Sequence, residues 1–276
     1  MLRALSLGAC ASLFLFAGCA TLLGLDEERE LGSVDGGSAA GGSGGAPVAA
    51  GGAGGAGDPY VDLVLSDGPV AYFRFEDKTA EVAFANSIDS NLAAQKEGEV
   101  HQGPGKVGKA GSFSGQANAH AGDVYDFPEM AEMSVELWLN TPAPRGGLQQ
   151  LVSKRLGDAE GYAVTIDSQR RVTFTRTRGT MSTNVRHLLD ADQDYGRFIH
   201  VVATFSTDLG SRLFIDAEQR GEAPTADEVS LLDNDGELEI GGDAGVEFTG
   251  FIDEVALYSR ELTLDEIEEH FAMASP

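Results

Sequence analysis

The chain has 276 residues, with 44 acidic against 19 basic side chains and a formal net charge of −25. A surface this acidic repels phosphate backbones and anionic lipid headgroups, which excludes nucleic acid as a partner. Its two cysteines, Cys10 and Cys19, both lie near the N-terminus, so the sequence beyond them can form neither a disulfide nor a thiolate site.

Arg3 supplies a short positive start, and residues 4–18 are apolar or small almost throughout. That run falls short of the about 20 residues a helix needs to cross a bilayer, but it suits the hydrophobic region of a secretory signal. It ends in Leu15-Phe16-Ala17-Gly18-Cys19, which resembles the lipobox of bacterial lipoproteins. The resemblance implies a signal peptide over 1–18 and a Cys19 that is thioether-linked to diacylglycerol, cleaved on its N-side and N-acylated. Phe16 stands where the lipobox usually has Leu. The other candidate, Leu7-Gly8-Ala9-Cys10, has almost no apolar run before it. Ala20 rather than Asp follows Cys19, and the sorting rules of Gram-negative bacteria then point to the outer membrane or cell surface. Several acyl chains on one cysteine anchor far better than a single chain would.

Residues 19–58 read as a tether. Leu22 to Leu31 is short, acidic and amphipathic, and residues 31–58 hold 12 glycines among Ala and Ser. Such a composition cannot bury enough apolar surface to fold. A coil of this length spans about 30 Å. Gly41-Gly42-Ser43-Gly44-Gly45 satisfies the Gly-x-Ser-x-Gly hydrolase pattern, which has chemical meaning only on a strand-to-helix turn and here follows from composition.

Residues 59–276 read as one folded domain. Runs rich in β-branched and aromatic residues recur between Gly, Asp and Pro, predicting strands over 70–75, 110–113, 133–140, 150–154, 162–167, 171–177, 198–205, 212–216, 238–241 and 248–258. Val135, Leu137 and Leu139 alternate as a half-covered sheet requires, while 198–205 is apolar nearly throughout and predicts a central strand. Only two helices are expected, over 59–65 and 264–273. Thr263 with Glu266 makes a capping box before the second, and Leu262 with Ile267 a hydrophobic staple. Many strands and few helices predict an all-β, two-sheet antiparallel sandwich with a short C-terminal helix.

The order of these runs resembles the LamG-like jelly roll of the concanavalin A-like lectin/glucanase superfamily. The resemblance is carried by Ser66-Asp67-Gly68-Pro69-Val70-Ala71-Tyr72-Phe73-Arg74-Phe75, Gly108 to Gly115, Met133 to Leu139, Phe198 to Phe205, Leu213 to Asp216, and Gly250-Phe251-Ile252-Asp253-Glu254-Val255-Ala256-Leu257-Tyr258 with the sequence to Thr263. Phe198 replaces a usual Trp, and Ser114 a frequent Asp or Asn. The resemblance implies a binding domain or a glucanase, and it implies a structural calcium at Asp253, the one metal ligand expected in the chain. A carboxylate bonded to backbone amides or to an arginine is the alternative for Asp253. As neighbours on a strand, Asp253 and Glu254 are expected on opposite faces.

Catalytic residues are expected to be none. The Glu-x-Asp-x-x-Glu signature of glucanases is absent, and Glu237-Leu238-Glu239 offers only two acids on one strand face. His101, His120, His187, His200 and His270 show no zinc-site spacing, and His200, on an apolar strand, reads as a framework residue. Asp233-Asn234-Asp235-Gly236 resembles part of a calcium loop but reads better as a turn. The expected function is non-catalytic binding of a glycan or an extracellular protein at the cell surface, through a domain held to the membrane at Cys19. A structural envelope role without a ligand pocket and a divergent glycoside hydrolase are the alternatives.

Overall fold

The computed structural model describes residues 58–78, 82–142, 146–242 and 245–274. The predicted signal segment, Cys19 and the tether as far as residue 57 lie outside the described residues. Helix α1 (Pro59–Ser66) opens the domain. The Asp58 side chain caps it by accepting from Tyr60 N at 3.0 Å, and Pro59 occupies the first turn, where its missing N–H costs nothing.

Sixteen strands follow, β1 (Ala71–Phe73), β2 (Ala83–Phe84), β3 (Ala94–Glu97), β4 (His101–Pro104), β5 (Lys109–Ser114), β6 (Asn118–His120), β7 (Met133–Asn140) and β8 (Gln149–Leu156) in the first half. The second half holds β9 (Glu160–Ile166), β10 (Arg171–Arg178), β11 (Met181–Leu188), β12 (Ile199–Ser206), β13 (Gly210–Ile215), β14 (Glu218–Ala223), β15 (Leu238–Ile240) and β16 (Thr249–Tyr258). Helix α2 (Leu264–Ala274) closes the domain. The strands form two antiparallel sheets. Sheet A runs β14-β13-β12-β7-β16-β5-β4, with β1 also paired to β16, and sheet B runs β11-β10-β9-β8-β15-β6-β3-β2. This is the expected jelly-roll sandwich with its C-terminal helix.

The main core lies between the sheets and contains Val135, Leu137 and Leu139 of β7, Val201, Ala203 and Phe205 of β12, and Tyr162, Val164 and Ile166 of β9. Successive strand residues point to opposite faces, so Ser134, Glu136 and Trp138 project from the far side of sheet A. They are buried there as well, because α1 and α2 cover that face in a second apolar layer with Tyr60, Tyr72, Tyr258, Leu262 and Ile267. The Trp138 indole donates to Tyr60 Oη at 3.0 Å, tying α1 to the sheet. The predicted capping box forms at α2. Thr263 N donates to Glu266 Oε2 at 2.8 Å, and Glu266 N to Thr263 Oγ1 at 3.3 Å.

Candidate functional site

No helix packs on the outer face of sheet B among the described residues. That face is built from cross-strand registers that continue from one strand to the next. Gln95 pairs with His120, His120 with Glu239, Glu239 with Ser153, Ser153 with Ala163, Ala163 with Thr175 and Thr175 with Asn184. Seven strands therefore contribute one residue each to a single row, about 29 Å long at the usual strand spacing. Beside it runs Gln150–Thr165–Thr173–Arg186. The middle of the face is buried: Ser153, Ala163, Thr165 and Thr173 each expose 5% or less. Apart from Ala163, every member of the two rows can donate or accept a hydrogen bond, and neither row holds a Phe, Tyr or Trp.

Of the two carboxylates singled out in the sequence, Glu239 lies on β15, third in the row, and Glu237 just before that strand. Glu239 Oε2 accepts from Asn118 Nδ2 at 3.0 Å, and Glu237 Oε2 lies 2.9 Å from His120 Nδ1. Both acids are thus engaged by neighbours rather than set as an isolated acid and nucleophile.

Asp253 and Glu254 lie elsewhere, on sheet A. The expectation that they face opposite ways is overturned by a β-bulge. The register of β16 against β7 shifts between Asp253 and Ala256, and Glu254 takes a φ of 51°. The extra residue breaks the alternation, and both side chains end on the helix-covered face. Asp253 Oδ2 accepts from Lys106 N at 2.8 Å and Val107 N at 3.1 Å, while its Oδ1 accepts from Glu254 N at 2.9 Å. Gly105 must lack a side chain for this loop to close, since a Cβ there would meet Asp253 Oδ2 at 2.6 Å. Glu254 Oε2 accepts from the Tyr72 hydroxyl, and Arg74 Nε lies 3.4 Å from Oε1. Burial pushes Glu254 up to about 8 despite Tyr72 and Arg74, and burial with the Glu254 charge pushes Asp253 upward too.

The shell of Asp253 does not fit a calcium ion. Three backbone N–H groups face its oxygens, and N–H groups complement a carboxylate and repel a cation, which needs oxygen ligands. Asp253 is instead a carboxylate bonded to backbone amides, the alternative the sequence left open. Among the described residues no cluster of three or more His, Cys, Asp or Glu side chains could hold a metal. A cage of oxygens does exist near the 233–236 turn, and the protein fills it itself. The buried Lys154 ammonium lies 2.8 Å from Asp123 Oδ1, 3.1 Å from Asp126 Oδ1 and 2.6 Å from the Asn234 carbonyl. The Asp233–Gly236 segment is the expected turn, closed by Gly236 N donating to Asn234 Oδ1 at 3.0 Å.

Glu136 and His270 are a buried pair that sequence reading missed. Glu136 accepts from Tyr258 Oη at 2.8 Å and meets His200 Nε2 at 2.7 Å and His270 Nδ1 at 3.0 Å. The other nitrogen of His270 reaches Asp67 Oδ2 at 2.7 Å, so both ring nitrogens face carboxylates and the imidazolium is favoured. Burial alone would lower His270, but the Glu136 charge and the two hydrogen bonds hold it up at about 9. Burial would likewise raise Glu136, yet the two histidines hold it well below the usual carboxylate range. His200 is the framework residue expected of it. The cluster pins α2 and the end of α1 to sheet A and is closed to any ligand.

Fold and face together define a jelly-roll domain with one sheet covered by two helices. The chain belongs to the concanavalin A-like lectin/glucanases superfamily, whose Laminin_G_3 family model matches residues 113–268. Among the curated proteins none matches the sequence. Similar solved structures include domain 4 of AbnA, an extracellular GH43 arabinanase from Geobacillus stearothermophilus, in complex with arabinotriose. It is 14% identical, with a TM-score of 0.61, over 73% of this chain and 97% of that one. A structure of botulinum neurotoxin type C, whose cell entry depends on two ganglioside molecules, is 12% identical with a TM-score of 0.60, over 78% of this chain and 53% of that one. The binding domain of botulinum neurotoxin DC in complex with rat synaptotagmin II is 12% identical with a TM-score of 0.59, over 76% and 52%. The chain thus spans about half the length of the two toxin structures. At these identities the likeness concerns the fold.

Proposed function

We propose that this protein is a lipid-anchored surface protein that binds a glycan without cleaving it, through the outer face of sheet B. The observation that carries this reading is the polar seven-residue row from Gln95 to Asn184. A sugar chain presents hydroxyl groups along its length, and a long face of Asn, Gln, Thr, Ser and His side chains can match them with donors and acceptors. Similar folds that hold arabinotriose or depend on gangliosides support the same reading. Absence of the glucanase carboxylate signature supports binding over hydrolysis, with Glu237 and Glu239 already engaged by His120 and Asn118. An extracellular protein is the second candidate partner, favoured by the synaptotagmin-bound toxin domain of similar fold.

The test is a glycan array probed with the purified protein, with and without EDTA, beside the Ser153→Arg and Thr165→Trp variants. Binding that is insensitive to EDTA, and lost in both variants while their melting temperatures hold, is the expected result. Binding that survives in both variants places the site elsewhere. Release of reducing ends from a bound glycan would establish the hydrolase instead.

A further inference from the structure

We infer that a second ligand site lies where the outermost strands of the two sheets meet, and that it takes a free α-amino acid as its zwitterion. The site shares no residue with the two rows on sheet B and stands or falls separately from the proposed function. The meeting is close. Gly221 of β14 lies against β11, where a Cβ would come within 2.8 Å of Val185 Cγ1. One residue further along each strand, His187 of β11 and Arg220 of β14 line a cavity of about 390 Å³, which the 189–198 loop closes from one end. That volume is at the small end of ligand sites, which run from roughly 300 to 1,000 Å³.

Several of the charges around this cavity are spent on one another. Arg197 Nη2 lies 2.6 Å from Asp216 Oδ2 and 3.3 Å from Asp194 Oδ1, while its Nε and Nη1 donate to the Gln193 and Phe198 carbonyls. Asp216 Oδ1 accepts from His200 N at 2.8 Å. Asp216 and Ala217 form the two-residue turn between β13 and β14, with φ of 50° and 62°. Asp-Gly or Asn-Gly is the usual choice for such a turn. Here a residue with a side chain is held in the left-handed region while the carboxylate beside it fixes Arg197, and strain of this kind gathers at ligand sites. Arg197, Asp194 and Asp216 are thus the wall of the site, with little left to offer a ligand.

Three groups remain available. His187 is the first. It pairs across the ladder with the core residue Val172, so it points inward, between the sheets. Neither of its ring nitrogens has a hydrogen-bond partner among the described residues. Burial, and after it the Arg220 charge, push the imidazole below its ordinary value, which leaves a neutral ring with one N–H to donate. Arg220 is the second. Its ion-pair partner is Glu218, 2.6 Å away and two residues along the same strand, and both side chains are largely exposed. Such a pair holds an arginine weakly. Asp190 is the third. Its oxygens accept from Asp192 N at 2.8 Å and meet Gln193 Nε2 at 3.4 Å, and among the described residues no base pairs with it. One small cavity therefore offers a cation with a neutral N–H donor and, from the loop, an unpaired carboxylate. The carboxylate and ammonium of an amino acid answer both at once. A simple anion would face Asp190, and a simple cation would face Arg220. Leu188 and Ile215 of the lining give a short side chain apolar contact.

The experiment is saturation-transfer NMR on the full chain in detergent, with glycine, L-alanine, D-alanine and L-glutamine as probes and with acetate and methylammonium as the two half-charged controls. Transfer to at least one amino acid is expected, with little to either control. Arg220→Gln and Asp190→Asn change exposed side chains and leave the core intact. Each removes a charged hydrogen-bond partner and should weaken amino-acid binding about tenfold or more. Ser153→Arg, on the outer face of sheet B, should leave it unchanged. Silence from all four amino acids overturns the inference, as does acetate or methylammonium binding as well as they do. So does binding that survives Arg220→Gln or Asp190→Asn undiminished, or that Ser153→Arg abolishes, because it would then belong to sheet B.

Discussion

The Nζ atom of Lys154 lies 2.8 Å from Oδ1 of Asp123, with the lysine side chain fully buried and the carboxylate half-exposed. An ammonium has three protons, and Asp126 and the Asn234 carbonyl receive the other two. Removing the charge with Lys154→Met leaves two carboxylates and a carbonyl facing each other. A cost of about 3 kcal/mol is expected, at the low end for a broken buried pair because Asp123 keeps access to water. Urea unfolding measures it. In Lys154→Ala, where the cage is emptied, millimolar calcium should recover part of the lost melting temperature, while the wild-type curve should not move with calcium or EDTA. A calcium shift in the wild type would mean that a cation binds somewhere other than this cage.

Asp253 makes a different kind of contact, a carboxylate closing a loop through amides far along the chain. Asp253→Asn would turn a donor either toward the Lys106 and Val107 N–H groups, which share Oδ2, or toward Glu254 N at the other oxygen. Leaving such groups unmatched costs about 2 kcal/mol. Gly105→Ala should reproduce the defect by forcing a Cβ against Oδ2. Hydrogen exchange at the Lys106 and Val107 amides should accelerate in both variants before any change in the core strands. Unchanged exchange at those two amides would mean that Asp253 does not hold the loop.

Stability should fall on the alkaline side. His270 is held at about 9 against an ordinary 6.5, so its contribution is complete below pH 6.5 and is lost as pH rises through 9. Glu254, raised to about 8 from an ordinary 4.5, acts in the same direction, with a contribution complete below 4.5 and lost through 8. Melting temperatures measured from pH 6 to 9.5 should decline. His270→Gln should flatten the upper part of that decline. At neutral pH it should also cost about 3 kcal/mol by leaving Glu136 buried without its cation, a drop of about 6–12 °C for a domain of this size. A wild-type curve that is level to pH 9.5 would show that the imidazolium is not what secures α2.

Cys19→Ser should abolish palmitate labelling and leave an uncleaved or soluble precursor. Fractionation of cells expressing this variant reads both outcomes together. A variant that still sediments with the outer membrane and still takes up label would remove the anchor from the proposed function.

What the sequence revealed depended on whether one face of an element was covered. Met133–Asn140 was legible to the residue because Val135, Leu137 and Leu139 alternate against the core. The Phe198–Phe205 run predicted a central strand, and β12 (Ile199–Ser206) is indeed buried along its whole length between β7 and β13. Met181–Leu188 and Glu218–Ala223 were missed because each is the outermost strand of its sheet, with polar residues on both faces and no period to detect. The bulge at Glu254 was illegible for a related reason, since its φ of 51° is adopted by a residue with no glycine-like signature. Contacts across the chain were hidden altogether. Glu136 and His270 are 134 positions apart, and Asp253 and Lys106 are 147 apart. The sheet B row was invisible because Thr, Ser and Asn become a face only when seven strands come into register.

The position of β16 carries a consequence for how the domain is made. This strand is the last to be synthesised, yet it sits inside sheet A, between β7 on one side and β5 and β1 on the other. Until it is threaded into that slot, sheet A consists of separate pieces, and β1, from the opposite end of the domain, keeps only its bridge to Asn86. Folding therefore waits for the whole chain, and contacts this remote in sequence close on the millisecond-to-second scale rather than in microseconds.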